Sequence, residues 1–338
     1  MRVLFSAQDP GGTNALIPIF KKIYKNHQVQ FFGAEHAIDI LKKNRLPYLD
    51  CTALIKKTIE KKFTDFRPQV VVVGTSSRSD SIEKIATSWA KGRGIATISI
   101  IDSWSNYALR FSSAADNQDL KYLTDVVCVV DSRMKRECVA EGLPPQMIKI
   151  TGSPYLYESL GKIKIKGEKK QVLFLSQPLS LPPYNRFPFD EYTIMRDLLN
   201  YRHLDKLGKI IIKPHPKEDK KRFAKLASSS NSIAVADKGK DVYKLISSAR
   251  LIIGMNSITL LEAALAGKSV ISYQPGISKN DDVLNRGNIK NIHSVYRVKD
   301  LYNLLDTYLA VNKMRSKPLK QKSADPVAAI IKLFKIKK

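Results

Sequence analysis

The stretch at residues 250–276, RLIIGMNSITLLEAALAGKSVISYQPG, predicts one strand–helix–strand unit and with it the class of the fold. Its apolar run at residues 251–253 has the length of a buried strand, and Gly254 follows it directly. Ser257 then has the position of a helix N-cap, and Gly267 ends the helix before the next apolar run. Strand, helix and strand in this order are typical of a parallel sheet.

Short apolar runs of strand length alternate with helical patterns along most of the 338 residues. In the first half the runs are RVLFSA, VQFFG, QVVVVGT, ATISIID, VVCVVD and IKITG, and in the second half QVLFLSQ, KIIIKP, SIAVAD, RLIIGM and SVISYQ. A polar stretch near residues 158–170 separates the two series. We therefore predict an α/β protein with two domains, residues 1–160 and 161–325, and a basic helix or tail at 326–338. The carboxyl ends of the two sheets are expected to face a cleft, where such sheets bind ligands.

The chain carries 57 lysine and arginine residues against 31 aspartate and glutamate residues, a formal net charge of +26. This excess predicts attraction to anions such as nucleic acid, phospholipid surfaces or phosphorylated substrates. A solvated lysine-rich surface is the alternative, and charge alone does not separate the two. Because no RNP-like motif, zinc-finger spacing or helix-turn-helix pattern is present, we expect no specific nucleic-acid partner. The tail DPVAAIIKLFKIKK suits either a basic amphipathic helix on a membrane surface or a last helix packed on the body.

The first residues, MRVLFSA, contain no charged leader and no cleavage site, and no apolar run approaches about 18 residues. We therefore expect a cytoplasmic protein without a signal peptide. Cys51, Cys128 and Cys138 have neither paired spacing nor a nearby histidine cluster, so we expect buried free thiols rather than a disulfide or a zinc site. The sequence leaves the oligomeric state open.

The first strand leads into the glycine-containing stretch SAQDPGGTNALIPIF. Gly11 and Gly12 allow a tight turn in which backbone amides approach an anion or a sugar. Thr13 or Asn14 is expected to cap the helix that follows. Asp9, at the end of the strand, is a candidate general base. In the alternative interpretation the glycines serve packing alone, and the Asp9 carboxylate forms the turn by bonding its own backbone.

Two later strand ends of the first domain, in VVVVGTSSRSD and ISIIDSWSNYALRF, carry small polar and aromatic residues. Hydroxyl groups at a sheet edge, and aromatic rings beside amides, are a common way to bind a sugar. A large aromatic residue can equally fill a domain interface. The candidate acceptor-binding residues are Thr75, Ser76, Asp102, Trp104, Asn106 and Tyr107.

In the second domain, the helix near Ser257 provides a candidate phosphate site. Asn256, Ser257 and Thr259 lie at or near its N-terminus, where free amides and the helix dipole favour an anion. Glu262, more than one turn into the helix, is a candidate for binding a ribose diol. The alternative is that Ser257 is an ordinary N-cap and Glu262 an ordinary surface acid.

The stretch KIIIKPHPKED, residues 209–219, ends a strand with a histidine between two prolines. Each proline removes a backbone donor and restricts the chain, so His215 is expected to be held rigidly at the sheet edge. Together with Lys213 it would form a cationic pair facing a phosphate. A lone histidine usually has a structural role, and that alternative stays open.

Four stretches together resemble the GT-B superfamily of nucleotide-sugar-dependent glycosyltransferases. They are VLFLSQPLS, IIIKPHPKED, GMNSITLLEAALAGKSVISYQPG, and KITGSPYLYESL, the last being similar to a TGNP element before the interdomain linker. The second-domain stretches resemble bacterial envelope transferases, namely sialyl- and polysialyltransferases, Kdo transferases and CDP-glycerol polymerases. The resemblance implies two Rossmann-like domains, a phosphate-binding role for His215 and Pro216, a capping role for Ser257 and a ribose-binding role for Glu262.

The resemblance also implies an enzyme that moves a sugar from a nucleotide-sugar donor to a glycan or lipid-linked acceptor. The SQPL stretch, whose Ser176 and Gln177 are candidate donor-binding residues, and the KPHP stretch together resemble enzymes that use a CMP-linked acidic sugar. The resemblance therefore favours such a sugar as donor, followed closely by a UDP sugar or CDP-glycerol. No acid-acid-glycine motif and no Asp-x-Asp motif stand out, so Asp9 as base rests on its position, and we expect neither a metal nor a cofactor.

The place of action predicted for such an enzyme is cell-envelope polysaccharide or lipopolysaccharide synthesis. Its basic surface and tail would hold it peripherally on the anionic inner face of the membrane. Two alternatives remain at this point: a nucleotide-sugar epimerase or hydrolase of the same fold, and a non-catalytic polyanion-binding protein.

Overall fold

The computed structural model divides the chain into two compact units. Unit 1 comprises Met1–Glu158 together with Gln321–Lys338, and unit 2 comprises Ser159–Lys320. The structure describes residues 1–113, 118–164, 171–182, 185–215, 217–228, 230–237, 239–282, 284, 291–311 and 325–335.

Unit 1 contains a seven-stranded sheet in which all the pairings are parallel. Its elements are β1 (Arg2–Ala7), α1 (Pro10–Ile23), β2 (Gln28–Gly33), α2 (His36–Lys43), β3 (Leu49–Asp50), α3 (Lys56–Phe66), β4 (Val70–Val73), α4 (Ile82–Lys91), β5 (Ala96–Ile100), β6 (Val126–Val129), α5 (Ser132–Ala140), β7 (Ile148–Ile150) and α6 (Pro154–Leu160). The strand order is β3-β2-β1-β4-β5-β6-β7. The chain therefore starts in the middle of the sheet, builds one side, and then crosses to build the other.

Unit 2 repeats this plan with six parallel strands in the order β10-β9-β8-β11-β12-β13. Its elements are β8 (Gln171–Leu175), α7 (Glu191–Leu199), β9 (Lys209–Lys213), α8 (Lys220–Ala227), β10 (Ile233–Val235), α9 (Val242–Ser248), β11 (Leu251–Gly254), α10 (Ile258–Leu265), β12 (Ser269–Tyr273), β13 (Ile292–Val295) and α11 (Val298–Val311). Each sheet thus changes direction beside its first strand, which is the doubly wound arrangement.

The strand sequences explain why helices cover both faces of the unit 1 sheet. Val3 and Phe5 of β1 belong to the core formed with α1, whereas Leu4 packs in the core formed with α3 and α4. All four valines of β4 are buried. Burial on both faces requires a continuous apolar run, and for that reason these strands were predictable from the sequence.

The last described helix, α12 (Pro326–Leu333), is part of unit 1. Asp325 caps it by accepting hydrogen bonds from the amides of Val327 at 2.9 Å and Ala328 at 3.3 Å. Val327, Ile330 and Phe334 join the core that contains α1. Of the two alternatives for this segment, its described part packs on the body of the protein.

The predicted strand segments all contain strands, but two short strands were not predicted. β3 has only two residues, and β13 has the sequence IHSV, whose residues are all partly exposed. Neither produces the apolar run that marks a buried strand. Cys51, Cys128 and Cys138 are buried free thiols, as the sequence predicted.

Candidate functional site

In unit 1, polar residues gather where β1 and β4 end side by side. These two strands pair in parallel at the point where the sheet changes direction, so their carboxyl ends border a crevice. The segments that follow them carry Asp9, the two glycines of α1, Thr75 and Ser76. The structure therefore brings the predicted residues of the first and fourth strands to one edge.

Glycine is required here because two backbones approach closely. A Cβ atom on Gly12 would lie 3.1 Å from the Cα of Gly74, and one on Gly74 would lie 2.9 Å from the Cα of Gly12. A Cβ atom on Gly11 would lie only 1.8 Å from Oδ2 of Asp102. The first turn of α1 thus packs directly on the end of β4, with the Asp102 carboxylate against it.

Arg110 holds the Asp102 carboxylate in place. Its Nη1 atom donates to Oδ1 of Asp102 at 2.9 Å and to Oγ1 of Thr75 at 2.7 Å, while Nη2 donates to Oγ of Ser103 at 2.6 Å. These bonds join the loops after β4 and β5 in a partly buried ion pair. Arg110 was not predicted from the sequence, where its only signal is a single cation among apolar residues in YALRF.

The cap of α1 differs from the prediction of Thr13 or Asn14. The helix begins at Pro10, so Asp9 occupies the N-cap position, and proline suits the first helical position because the amide it lacks would have no partner there. The Asp9 side chain makes no capping hydrogen bond to α1, all of whose residues are described. Its backbone oxygen accepts from the amide of Thr13 at 3.0 Å and the hydroxyl at 2.8 Å. Thr13 is buried, Asn14 is partly buried, and the Asp9 carboxylate is partly exposed.

A buried carboxyl group, that of Glu83, lies behind Asp9. Its Oε1 atom accepts the backbone N–H of Gln8 at 2.9 Å, and its side chain is 3% exposed. Burial raises the pKa of Glu83 to about 7, and the charge of Asp9 contributes in the same direction. Glu83 was not predicted from the sequence, because an acid in the first turn of a helix is ordinarily a surface residue.

The remaining acceptor candidates differ in burial and in their hydrogen-bond partners. Ser76 is buried and accepts the amide of Arg78 at 3.3 Å. The Trp104 indole donates to Asp131 at 3.1 Å, and the Tyr107 hydroxyl donates to Glu137 at 2.5 Å, so both aromatic residues bind to α5 or its cap. Tyr107 is buried, whereas Asn106 is exposed and adopts a left-handed backbone conformation, with φ of 55°.

In unit 2, the corresponding change of direction lies between β8 and β11. The side-chain amide of Gln177 closes the end of this pair, because it donates to the oxygen of Asn256 at 2.9 Å and accepts its N–H at 2.7 Å. Both the position of Gln177 after β8 and that of Asn256 after β11 are thereby fixed. The predicted donor residues of these two strands meet at one sheet edge.

Glu218 connects the loop after β9 to the same edge. This side chain is 2% exposed; its Oε1 atom accepts the Ser176 hydroxyl at 2.6 Å, and Oε2 accepts the backbone N–H of His215. The amide of Glu218 donates to the oxygen of His215 at 3.0 Å. Glu218 was not predicted from the sequence, in which it is one of five charged residues in the run KEDKK.

His215 is half-buried and has a defined orientation. Its Nδ1 atom accepts the amide of Lys217 at 3.2 Å, so in the neutral ring Nε2 carries the proton. Burial lowers the pKa of His215, and the nearby charges of Lys217 and Lys213 lower it further. At neutral pH the free protein therefore presents a neutral N–H donor rather than the predicted cation. Pro216 lies outside the described residues.

Lys213 and the residues of α10 complete this edge. The Lys213 amine donates to the oxygen of Asp237 at 3.2 Å, and burial lowers its pKa. Ser257 is the N-cap of α10, since its hydroxyl accepts the amide of Leu260 at 3.2 Å. Thr259, in the first turn, is partly buried.

Glu262 is 1% exposed and is therefore not an ordinary surface acid. Its Oε1 atom accepts the hydroxyl of Tyr243 at 3.3 Å.

The described residues contain no group of three or more His, Cys, Asp or Glu side chains arranged to hold a metal ion. None of their helices has the length and apolar character needed to cross a membrane. A depression lined by Met1, Arg2, Lys25, His27 and Gln69 lies where β1 begins, at the opposite edge from the polar cluster, and parallel sheets bind ligands at their carboxyl edges.

Part of the chain matches a known protein family. The family model of alpha-2,8-polysialyltransferases (POLYST) matches residues 139–272, a range that includes His215, Glu218 and Ser257. No curated protein matches the chain.

Solved structures share the fold over nearly the whole length. UDP-GlcNAc 2-epimerase from Methanocaldococcus jannaschii has a TM-score of 0.71 at 15% identity, over 98% of this chain and 100% of that chain. The epimerase from Neisseria meningitidis bound to UDP-GlcNAc has a TM-score of 0.70 at 14% identity, over 99% of both chains. MurG from Acinetobacter baumannii has a TM-score of 0.62 at 13% identity, over 98% of both chains.

The chain has the GT-B fold. Its two parallel sheets with interleaved helices confirm the predicted α/β fold class. At these identities the structural neighbours establish the fold of this GT-B protein and nothing about its substrate. The family match over residues 139–272 supports the prediction that it is a glycosyltransferase.

Proposed function

We propose that this GT-B protein transfers a sugar from a nucleotide-sugar donor, bound by unit 2, to a glycan or lipid-linked acceptor, bound by unit 1. The observation that carries the proposal is the arrangement after β8, β9 and β11. There, Gln177 and Glu218 fix Asn256 and His215 at a sheet edge of the kind that binds nucleotides. The polysialyltransferase match, which spans this edge, favours a CMP-linked acidic sugar.

On the donor side, charge develops on the leaving phosphate as the bond to the sugar breaks. The Nε2–H group of His215 is a fixed donor for this charge, and the free amides at the N-terminus of α10 provide the positive end of a helix dipole. Lys213 adds a cation behind them. Fixed donors of this type stabilise a leaving group without a metal, and the proposed reaction uses none.

On the acceptor side, Asp9 is the proposed general base. Its carboxylate is partly exposed at the edge of the unit 1 sheet and does not cap α1, so it remains available to an acceptor hydroxyl. Asp9 takes the proton as the hydroxyl oxygen attacks the sugar carbon and the nucleotide phosphate departs. Asp102, held by Arg110, is a second carboxylate for binding sugar hydroxyls.

A thermal-shift screen with CMP, CDP, UDP, GDP and their sugar conjugates tests the donor assignment, because a ligand of the native state raises its melting temperature. We expect the cytidine nucleotides to give the largest shift. The best conjugate is then incubated with and without candidate acceptors, and the products are followed by mass spectrometry. Absence of a shift with every nucleotide and every conjugate would contradict the proposal.

An epimerase is the second candidate function, because the solved neighbours include several UDP-GlcNAc 2-epimerases. Incubation with the donor alone separates the two. A transferase needs an acceptor for rapid turnover, whereas an epimerase or hydrolase consumes or converts the donor by itself.

We further propose that the protein works in the cytoplasm, attached peripherally to the inner face of the membrane during cell-envelope polysaccharide or lipopolysaccharide synthesis. The support is the net charge of +26, which favours anionic lipid. Vesicles with anionic lipid should sediment the protein at low salt, and neutral vesicles should not. Equal binding to both would contradict this part of the proposal, as would a strong preference for nucleic acid over the anionic vesicles.

A further inference from the structure

A set of polar side chains lies buried between β1 and α4, away from the surface of the unit 1 site. Leu4 packs toward α4, and the alternation of a strand places Ser6 and Gln8 on the same face. Ser6, Gln8 and Glu83 are each at most 3% exposed. Within the described part of the chain, Ser6 Oγ, Gln8 Nε2 and Glu83 Oε2 have no hydrogen-bond partner. Buried polar atoms of this kind are uncommon and call for an explanation.

Two hydrogen bonds join Gln8, the residue before Asp9, to the first turn of α4. Glu83 Oε1 accepts the N–H of Gln8 at 2.9 Å, and Gln8 Oε1 accepts the N–H of Ile82 at 3.2 Å. Gln8 immediately precedes Asp9. The first turn of α4 therefore fixes the end of β1, and with it the place of the Asp9 carboxylate.

The charges around Glu83 come from few groups. From the turn before α1, Asp9 repels a negative charge on Glu83. On α4 itself, Ser81 lies at the N-cap, and Lys84 is the neighbouring cation, whose own pKa is lowered by burial. Burial raises the pKa of Glu83 to about 7, so this carboxyl group changes its charge in the neutral range.

We propose that Glu83 is the positioning residue for Asp9: its carboxyl group holds the Gln8–Asp9 turn, and the ionised form holds that turn more firmly than the neutral form. The inference rests on the proposed function, in which Asp9 accepts the proton of the acceptor hydroxyl. A hydrogen bond to an ionised carboxylate is stronger than one to a neutral carboxyl group, so the Gln8 N–H and the turn that follows it are held best when Glu83 carries its charge. Glu83 does not touch the substrate in this scheme.

The variant Glu83→Gln separates the hydrogen bond of Glu83 from its charge. Glutamine keeps an oxygen that accepts the Gln8 amide but has no charge. The matched control is Glu141→Gln, because the carboxylate of Glu141 also accepts a backbone N–H in unit 1, that of Ala108 at 2.8 Å. Both variants are compared with the native protein in kcat and kcat/KM across about pH 6 to pH 8.5.

In the native protein we expect kcat to rise through the neutral range as Glu83 ionises. In Glu83→Gln this rise disappears, and at high pH kcat falls by about three- to tenfold while the KM for the donor is unchanged. Glu141→Gln keeps the native pH profile. A native profile in Glu83→Gln would overturn the inference, as would an equal change in the control.

A titration without substrate tests the electrostatic interaction between Asp9 and Glu83. The Glu83 carboxyl carbon is followed by NMR in glutamate-labelled protein, with its signal assigned by its loss in Glu83→Gln. In Asp9→Asn the midpoint of Glu83 should move to lower pH, because one negative neighbour is gone. An unmoved midpoint would overturn the inference. If Asp9→Asn instead retained full transfer activity, the proposed base would be wrong even where the Glu83 midpoint had moved.

Discussion

The two sheet edges share one topology but hold their polar residues by different means. In unit 1 the edge depends on close backbone packing, Gly12 against Gly74, and on buried charges, which are Glu83 behind Asp9 and Arg110 beside Asp102. In unit 2 it depends on side chains that bond the backbone of neighbouring loops. The first edge presents carboxylates, whereas the second presents amides, a hydroxyl group and an imidazole N–H.

This difference indicates a division of labour. Carboxylates suit the removal of a proton from a neutral acceptor, and N–H donors suit an anionic leaving group. Substitutions in unit 1 should therefore affect stability and proton transfer, whereas substitutions in unit 2 should affect the binding and departure of the nucleotide.

His215→Ala should give the largest effect, a loss of about 100-fold or more in kcat, because it removes a fixed donor to the leaving phosphate. The melting temperature should change little, since the imidazole is only half-buried. Activity and thermal unfolding are measured on the same preparation. Native turnover in this variant would show that His215 does not stabilise the leaving phosphate.

Gly12→Ala should destabilise unit 1 by about 1–3 kcal/mol, because its Cβ would meet the backbone of Gly74 and neither backbone can move freely. The control is Gly92→Ala, where the new Cβ would lie 3.6 Å from the nearest oxygen, an ordinary contact. Urea unfolding compares the two. Equal stability of the two variants would mean that the close approach of Gly12 and Gly74 does not stabilise this sheet edge.

Glu218→Gln should weaken nucleotide binding by about tenfold and cost roughly 1–3 kcal/mol of stability, because its amide group opposes one of two donors, Ser176 or His215. Glu191→Gln is the matched control. Glu191 is also buried in unit 2, and it accepts the amide and the hydroxyl of Ser180 at 2.9 and 2.6 Å.

Glu191→Gln should lose a similar amount of stability, but its affinity for the nucleotide in calorimetric titrations should be unchanged. Equal affinities in the two variants would show that Glu218 is a purely structural residue.

The smallest expected effect is a pH dependence of donor binding. The pKa of His215 is lowered in the free protein, and a bound phosphate diester favours the protonated ring, so binding takes up a proton. Affinity for a nucleotide sugar should therefore rise about threefold as the pH falls from about 8 to about 6. His215→Ala should show no such rise in the same titrations, and an identical rise there would assign the proton to another group.

The fold was predictable because buried parallel strands leave apolar runs such as VVVV and KIII in the sequence. The residues after those runs were predictable as candidates for the same reason. Glu83, Arg110 and Glu218 were not, since each is a single charged residue with a hydrogen-bond partner 35 to 75 positions away in the sequence. Local patterns do not encode such contacts. The predicted cap of α1 lies four or five residues beyond Asp9, because Gly11 and Gly12 suggested a tight turn and instead belong to the first turn of the helix.

The packing of α12 on α1 has a consequence for the order in which the protein folds. Synthesis runs from the amino end, so the whole of unit 2 leaves the ribosome before the last helix of unit 1. Until then, the apolar side chains of α1 that receive Val327 and Ile330 are uncovered. The unit made first is thus completed only after unit 2, and a nascent chain depends on α12 to close the core that contains α1.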